Sequence, residues 1–153
     1  MAGVLLRVNS GEVALVAATA KSVFQLKAPA NQRLIVKGIR LFGKSAAGGT
    51  DTVIRVRLTR NSAAFGTFTA ATPSKNDPTD SETVQSTAGS NASIEPTTPT
   101  DGGLWWEIQP QAGVMESLAP GTEIKIPGGQ SIQFEFLSPA GTPTVLVECD
   151  YEE

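Results

Sequence analysis

Three segments of the chain alternate apolar and polar residues with a period of two, which is the pattern of β-strands that pack one face on a core. They are 52–60, 131–137 and 144–151. In the first segment Ile54, Val56 and Leu58 share one face, and arginines occupy the other. Each segment is therefore predicted to form a strand with one buried side.

Weaker strand patterns bring the predicted total to about eight. They lie at 12–16, 22–27, 33–42, 104–108 and 123–126. Within 33–42 the apolar residues change from one face to the other, and Gly38 lies at the change. Because a β-bulge inserts one residue and reverses the alternation, we predict a bulge or sharp bend at Gly38.

Turns rich in Gly and Pro separate these strands, and such short connections favour antiparallel neighbours. The clearest turns are 46–49, 119–121, 127–129 and 139–141. We therefore predict an all-β fold for 1–153, a single antiparallel β-sandwich domain that is jelly-roll-like with about eight strands. The low share of charged residues, 18%, agrees with strands better than with helices.

Two segments depart from this pattern. Residues 70–103 are dominated by Thr, Ser, Pro, Asn, Asp and Gly, so we expect one long Ser/Thr/Pro-rich loop there. Such a loop is more often functional, disordered or ordered by a partner than a plain covering loop. Residues 1–20 are expected to form a leading segment or arm. Arg7 and Glu12 interrupt the apolar stretch that a secretion signal needs, so we expect a soluble protein made in the cytoplasm.

The charge balance narrows the possible partners. The chain has 12 Lys and Arg against 15 Asp and Glu, a formal net charge of −3. It lacks the basic excess that neutralises phosphates, so we expect no nucleic-acid partner. No apolar run approaches the roughly 18 residues of a membrane span, so we expect no membrane partner either.

The residue types exclude much enzymology. The sequence contains no histidine, which removes His-based triads, His metal sites and the commonest general base. The single cysteine, Cys149, lies on the apolar side of its strand, which predicts a buried and inert thiol. Asp77, Asp80 and Glu82 offer oxygen ligands for Ca²⁺, but without the spacing of an EF-hand loop. We predict no catalytic residue, no metal site and no cofactor.

Trp105 and Trp106 are the most informative aromatic residues. Adjacent residues on a strand face opposite ways, so one Trp can fill the core while the other lies outward or against another chain. An outward Trp can stack on a sugar or anchor a protein interface. The alternative is that the sandwich and the long loop bury both. The interface candidates are Trp105, Trp106, Val53, Leu137, Leu146, Arg55 and Arg57.

The layout of the whole chain resembles the jelly-roll decoration, or cement, proteins on the heads of tailed bacteriophages. The resemblance rests on the leading segment, on strands such as Val53-Ile54-Arg55-Val56-Arg57-Leu58, on the Ser/Thr/Pro-rich insertion and on the closing run from 132–137 to 145–151. It implies a homotrimer that binds the major capsid protein and stabilises the virion. It transfers no binding residue.

Three functions follow as hypotheses. The first is a non-enzymatic virion structural protein, a capsid decoration protein. The second is a carbohydrate- or receptor-binding module of a phage tail, in which an outward Trp stacks on a sugar ring. The third, an enzyme, would need a pair of carboxylates with strongly perturbed acidity. Its candidates are Glu107, Glu116, Glu123, Glu135 and Glu148, for which pairing with basic neighbours on solvent-facing positions is the simpler interpretation.

Overall fold

The computed structural model describes residues 3–45 and 52–153, so the turn predicted at 46–49 lies outside the described residues. All the regular structure in those ranges is β-strand. Among the described residues there is no helix of the length and apolarity needed to cross a membrane. The strands are β1 (Leu5–Asn9), β2 (Val13–Ala14), β3 (Lys21–Lys27), β4 (Leu34–Lys44), β5 (Ile54–Asn61), β6 (Thr67–Ala71), β7 (Ser74–Lys75), β8 (Thr87–Ile94), β9 (Thr100–Ile108), β10 (Gly113–Ser117), β11 (Ile124–Ile126), β12 (Ser131–Leu137) and β13 (Thr144–Glu152).

The strands form two antiparallel sheets that pack as a sandwich, which confirms the predicted antiparallel β-sandwich. Sheet I has the order β10-β4-β13-β1-β7, with β11 also paired with β4 and β2 with β13. Sheet II has the order β6-β8-β3-β12-β5-β9. Between them lies one hydrophobic core, whose largest fully buried side chains include Phe24, Phe134, Phe136 and Tyr151.

The pairing of the main strands follows a simple rule. When β2 and the inserted strands β6 to β8 are set aside, and β10 and β11 are taken as one interrupted strand, eight strands remain. Along the chain, the first pairs with the eighth (β1 with β13) and the second with the seventh (β3 with β12). The third pairs with the sixth (β4 with β10 and β11) and the fourth with the fifth (β5 with β9). The chain thus forms a series of antiparallel strand pairs, and successive pairs alternate between sheet I and sheet II.

The bulge predicted in β4 is present. Val36 pairs with Tyr151 and Gly38 pairs with Asp150, so Lys37 is the extra residue between them. The buried positions are Leu34, Val36, Ile39 and Leu41, which change register across this point. One inserted residue therefore keeps an 11-residue strand facing the core along its whole length.

The segment 70–103 is not the predicted long loop. It contains the end of β6, all of β7 and β8 and the start of β9, and its longest stretch without a strand is 76–86. β8 pairs with β3, and β7 pairs with β1, so the insertion widens both sheets on the same side. These strands are built from small residues; they lie at the margin of the core, which Ala71 and Ala88 contact, and gain stability from ladder hydrogen bonds.

The leading segment is likewise not a free arm. β1 lies between β13 and β7 in sheet I, and Leu6 and Val8 are buried in the core. The sequence concealed this strand because Leu5 and Leu6 are both apolar and blur the alternation.

The insertion also covers part of the outer surface of sheet II. Gln25 and Gln133 point away from the core, yet both are buried. The Gln25 side chain donates a hydrogen bond to the Phe65 carbonyl in the connection from β5 to β6. The connection from β8 to β9 lies nearby, where Glu95 accepts a hydrogen bond from the Ser22 amide. These connections cover the β3 side of the sheet.

Candidate functional site

Two short rows of side chains lie on the part of sheet II that remains open. Across β12, β5 and β9, Glu135 is opposite Arg57, and Arg57 is opposite Trp105. One step along the strands, Leu137 is opposite Arg55, and Arg55 is opposite Glu107. We call these six residues the Trp105 face. Its polar side chains alternate with core residues on the same strands, so the pleat holds them at fixed spacing.

Arg57 is the centre of the first row. Its guanidinium lies 2.6 Å from the Glu135 carboxylate, and its Cζ atom lies over the Trp105 ring, 5.6 Å from the centroid. This places a cation against one side of the indole. The Arg57 Nε atom is buried without a hydrogen-bond partner among the described residues. The indole thus rests on a guanidinium that a carboxylate holds in place.

Trp105 is the outward member of the tryptophan pair, with 58% of its surface exposed. Beside it, Arg55 Nε lies 3.6 Å from Glu107 Oε1, and both of these side chains are mostly exposed. Clefts of about 370 Å³ and about 320 Å³ adjoin the indole and share Trp105 and Arg55 in their walls. The face therefore offers an open aromatic ring with charged groups on both sides.

Trp106 faces the other way, as strand alternation predicts, so the alternative in which both Trp side chains are buried is wrong. Its ring centroid lies 5.9 Å from that of Phe134, and it packs against the core. Its Nε1 atom donates a hydrogen bond of 2.9 Å to the Glu116 carboxylate on β10. Trp106 closes the edge of the sandwich where β9 of sheet II meets β10 of sheet I.

The outer surface of sheet I carries a second group of exposed apolar side chains. Phe42 on β4 is opposite Leu146 on β13 and Gly113 on β10. Phe42 is 41% exposed and Met115, two residues along β10, is 72% exposed. We call Phe42, Leu146 and Met115 the apolar cluster of sheet I. Leu5, 49% exposed, lies on the same surface nearer β7.

Ion pairs separate this cluster from Leu5. The Arg40 guanidinium contacts the carboxylates of Glu148 and Asp150, and Arg7 Nε lies 2.6 Å from Asp150 Oδ1. The hydrogen bond that Arg7 donates to Asp150 raises the pKa of Arg7 above its ordinary value. At the β11 end of the sheet, Lys37 contacts carboxylates of Glu123 and Glu152 in the same manner. Each of these three cations is thus paired with two carboxylates.

The structure brings four of the seven predicted interface residues together, namely Trp105, Arg55, Arg57 and Leu137, all on the Trp105 face. Leu146 lies on the other sheet, and Val53 is partly buried just before β5. Trp106 is packed inward. Phe42, Met115 and Leu5 were missed; the change of register at Gly38 was the one sequence signal that could have pointed to Phe42.

The carboxylates proposed for an enzyme are each engaged separately. Glu135 contacts Arg57, a basic neighbour as predicted, whereas Glu148 contacts Arg40 and Arg7 and not the arginines of β5. The Lys37 ammonium and the Gly121 amide both contact the Glu123 carboxylate. The hydrogen bond from the Gly121 amide is the main reason why the pKa of this carboxyl is lowered. Among the described residues, Glu107, Glu116, Glu123 and Glu135 thus contact different donors, whereas Glu148 shares Arg40 and Arg7 with Asp150.

The structure also locates the cysteine and the acidic residues that the sequence suggested as calcium ligands. Cys149 is fully buried in β13, and burial raises the pKa of its thiol. Asp77 accepts hydrogen bonds from the amide and hydroxyl of Thr79, which lower the pKa of its carboxyl. Asp80 binds the Glu82 amide in a similar turn. Within 3–45 and 52–153, no group of three or more Cys, Asp or Glu side chains is arranged to hold a metal ion.

The arrangement as a whole suits binding, since its exposed features are aromatic, apolar and ion-paired side chains on flat sheet surfaces. Comparison with protein-family models, with curated proteins and with solved structures gives no match. The function is therefore argued from the geometry of these two surfaces.

Proposed function

We propose that this protein is a non-enzymatic structural protein of a virion, a capsid decoration protein that binds and stabilises the phage head as a homotrimer. The pairing of first strand with eighth, second with seventh, third with sixth and fourth with fifth supports a jelly-roll assignment. The virion role follows from the resemblance of the chain's layout to that class of protein. The observation that carries the proposal is the apolar cluster of sheet I.

This cluster has no role inside the sandwich. The core is complete on the other side of β4 and β13, where Leu41 and Val147 are fully buried. Phe42, Leu146 and Met115 instead gather on the outer surface and border paired charges. Protein interfaces typically have an apolar centre and a polar rim, and contiguous exposed apolar groups mark sites of association. We assign this surface to the contact between subunits of the trimer.

A decoration protein stabilises a shell through mass action. If it binds the assembled head and not the separate capsid subunits, every bound copy shifts the equilibrium toward the assembled state. A trimer strengthens this effect, because three linked contacts raise the effective concentration of each. This role needs no cofactor and no reactive group, in keeping with a chain that has no histidine.

The oligomeric state tests the proposal directly. We expect light scattering coupled to size-exclusion chromatography to give about 48 kDa, three times the 16.0 kDa chain, for a closed trimer. Phe42→Glu places a charge in the apolar cluster and should shift the mass toward that of the monomer. Ser93→Glu, at an exposed position on β8 of the other sheet, is the matched control and should leave the mass unchanged.

Two results would contradict the proposal. A strict monomer at high protein concentration would remove the trimer, and an unchanged trimer in Phe42→Glu would remove the assigned surface. If the trimer is found, purified phage heads with and without the protein should differ in their resistance to heat. Equal resistance at saturating protein would show that the trimer has another purpose.

A further inference from the structure

The Trp105 face has a chemical character different from that of the apolar cluster. Its aromatic ring is more than half exposed, yet four of its six residues are charged and two of those, Arg55 and Glu107, are mostly open to solvent. The centres of stable protein interfaces are depleted of charge. Trp and Arg are common there, but the two carboxylates Glu107 and Glu135 are not, so the face suits a ligand that is itself rich in hydrogen-bonding groups.

A pyranose ring matches these features. One side of such a ring presents several C–H groups, which stack favourably on the negative face of an aromatic system. Its edge presents hydroxyl groups, which need donors and acceptors held in the plane around that aromatic ring. Guanidinium and carboxylate groups supply both kinds of hydrogen bond at fixed geometry.

The structure supplies the parts in this arrangement. Arg57 lies against one side of the Trp105 indole, and 58% of the surface of Trp105 remains exposed. Clefts of about 370 Å³ and about 320 Å³ lie beside the ring and are walled by Arg55 with Glu107 and by Arg55 with Glu135. The Arg57 guanidinium and the Glu135 carboxylate are held by their 2.6 Å ion pair, so the platform under the indole needs little ordering on binding, whereas Arg55 and Glu107 are open to solvent and free to adjust.

The charges of the face indicate the type of sugar. Arg55 and Arg57 are balanced by Glu107 and Glu135, so the face has no net charge. An acidic or a basic sugar would gain no net electrostatic attraction from such a face. A neutral saccharide needs none, and its hydroxyl groups can use both the donors and the acceptors.

We propose that the Trp105 face is a binding site for neutral pyranose-containing saccharides, with the indole as the stacking platform and Arg55 and Glu107 as hydrogen-bonding groups. Because a single ring makes the stacking contact, one site binds weakly. Several sites on an oligomer would bind a polysaccharide more tightly through multivalency. The site lies on sheet II and does not depend on the apolar cluster of sheet I, so it goes beyond the proposed function.

The test uses the intact protein and a panel of neutral soluble polysaccharides, among them β-glucans, mannan, galactomannan and xylan. In affinity electrophoresis, at least one polysaccharide should retard the protein. Short oligomers of the same sugar should quench or shift the tryptophan fluorescence in a saturable manner, with a dissociation constant in the millimolar range. Trp105→Ala should weaken binding at least about tenfold, and Glu107→Gln should weaken it less, since the amide keeps an acceptor.

Two controls make the result specific. Trp106→Phe leaves Trp105 as the sole tryptophan, so the fluorescence signal should persist in that variant. Phe42→Glu alters the apolar cluster, and its binding of short oligomers should equal that of the unchanged chain. The two proposals can therefore fail independently.

Three outcomes would overturn the saccharide site. The panel and its oligomers could all leave mobility and fluorescence unchanged, or Trp105→Ala could bind as well as the unchanged chain. In the third outcome Trp105 becomes shielded from acrylamide as the protein is concentrated without sugar. That result would identify the face as a contact between copies of this chain. Retention of the unfolding midpoint in Trp105→Ala, expected for so exposed a side chain, excludes misfolding as the cause of lost binding.

Discussion

Trp105 and Trp106 show how the pleat gives identical neighbours different tasks. Trp106 is tied to Phe134 in the core and to Glu116 on the other sheet, whereas Trp105 rests on Arg57 with its other side open. The first contributes to the fold and the second to the surface. Their substitution should therefore have separable effects.

We expect Trp106→Phe to lower the free energy of unfolding by about 1–3 kcal/mol, because it removes a partly buried ring and the hydrogen bond to Glu116. Trp105→Phe should change it by no more than about 0.5 kcal/mol, since the exposed position keeps an aromatic ring. Urea unfolding followed by circular dichroism, at one protein concentration, measures both. Equal losses in the two variants would contradict the assignment of inner and outer faces.

The sequence predicted which way single side chains face better than it predicted which side chains lie beside them. Cys149, the outward arginines of β5 and the opposite directions of the tryptophans all follow from alternation within one strand. The row Glu135–Arg57–Trp105 does not, because it requires the register between three strands that are far apart along the chain. Polar patterning fixes which face a side chain occupies, but leaves open what lies beside it.

At the scale of elements, β1 is the clearest strand that the sequence did not reveal. It pairs with β13 through five residues and places Leu6 and Val8 in the core, although Leu5 and Leu6 together obscure its period. Leu5 faces outward and the adjacent Leu6 faces the core, so substituting each of them gives a matched pair on one strand.

Leu6→Ala should lower the free energy of unfolding by about 2–5 kcal/mol, because it leaves a cavity at a fully buried position. Leu5→Ala should cost less than about 1 kcal/mol, since half of that side chain already meets solvent. Chemical denaturation in dilute solution, where association does not contribute, compares the two. A small effect of Leu6→Ala would contradict the placement of β1 in the core.

The inserted strands β6 to β8 explain the main error of prediction. β8 reads Thr-Ala-Gly-Ser-Asn-Ala-Ser-Ile and, apart from the exposed Ile94 at its end, lacks the large apolar residues by which strands are recognised. It is nevertheless held by β3 on one side and β6 on the other. At Gly89 a Cβ atom would lie 2.5 Å from Phe68, so the absence of a side chain is a requirement of packing. Ladder pairing, which composition does not report, specifies this element.

At the scale of the whole molecule, Cys149 offers a probe of global opening. It lies in β13, between β1 and β4, where it is fully buried, and burial raises the pKa of its thiol. Both effects keep the thiolate, the reactive form, from meeting a reagent. Local fraying at the edges of the sandwich does not expose this position.

We expect an aromatic disulfide reagent at pH 8 to label less than a tenth of the native protein on the timescale on which it labels one thiol per chain in denaturant. The labelling rate should follow the fraction unfolded as denaturant rises. Because ionisation of a buried thiol is unfavourable, the contribution of Cys149 to stability is complete below the ordinary Cys pKa and is lost as pH rises through the raised value. Rapid labelling of native protein would show that sheet I opens locally.

The rolled order of strands has a consequence for how the protein is made. β13 fills the middle of sheet I between β4 and β1, and β12 fills the middle of sheet II between β3 and β5. Both strands follow in sequence every strand with which they pair, so they are synthesised after those partners. Until then neither sheet has its centre, and the earlier strands expose edges open to wrong pairing. The sandwich therefore closes only once β12 and β13 have both been synthesised.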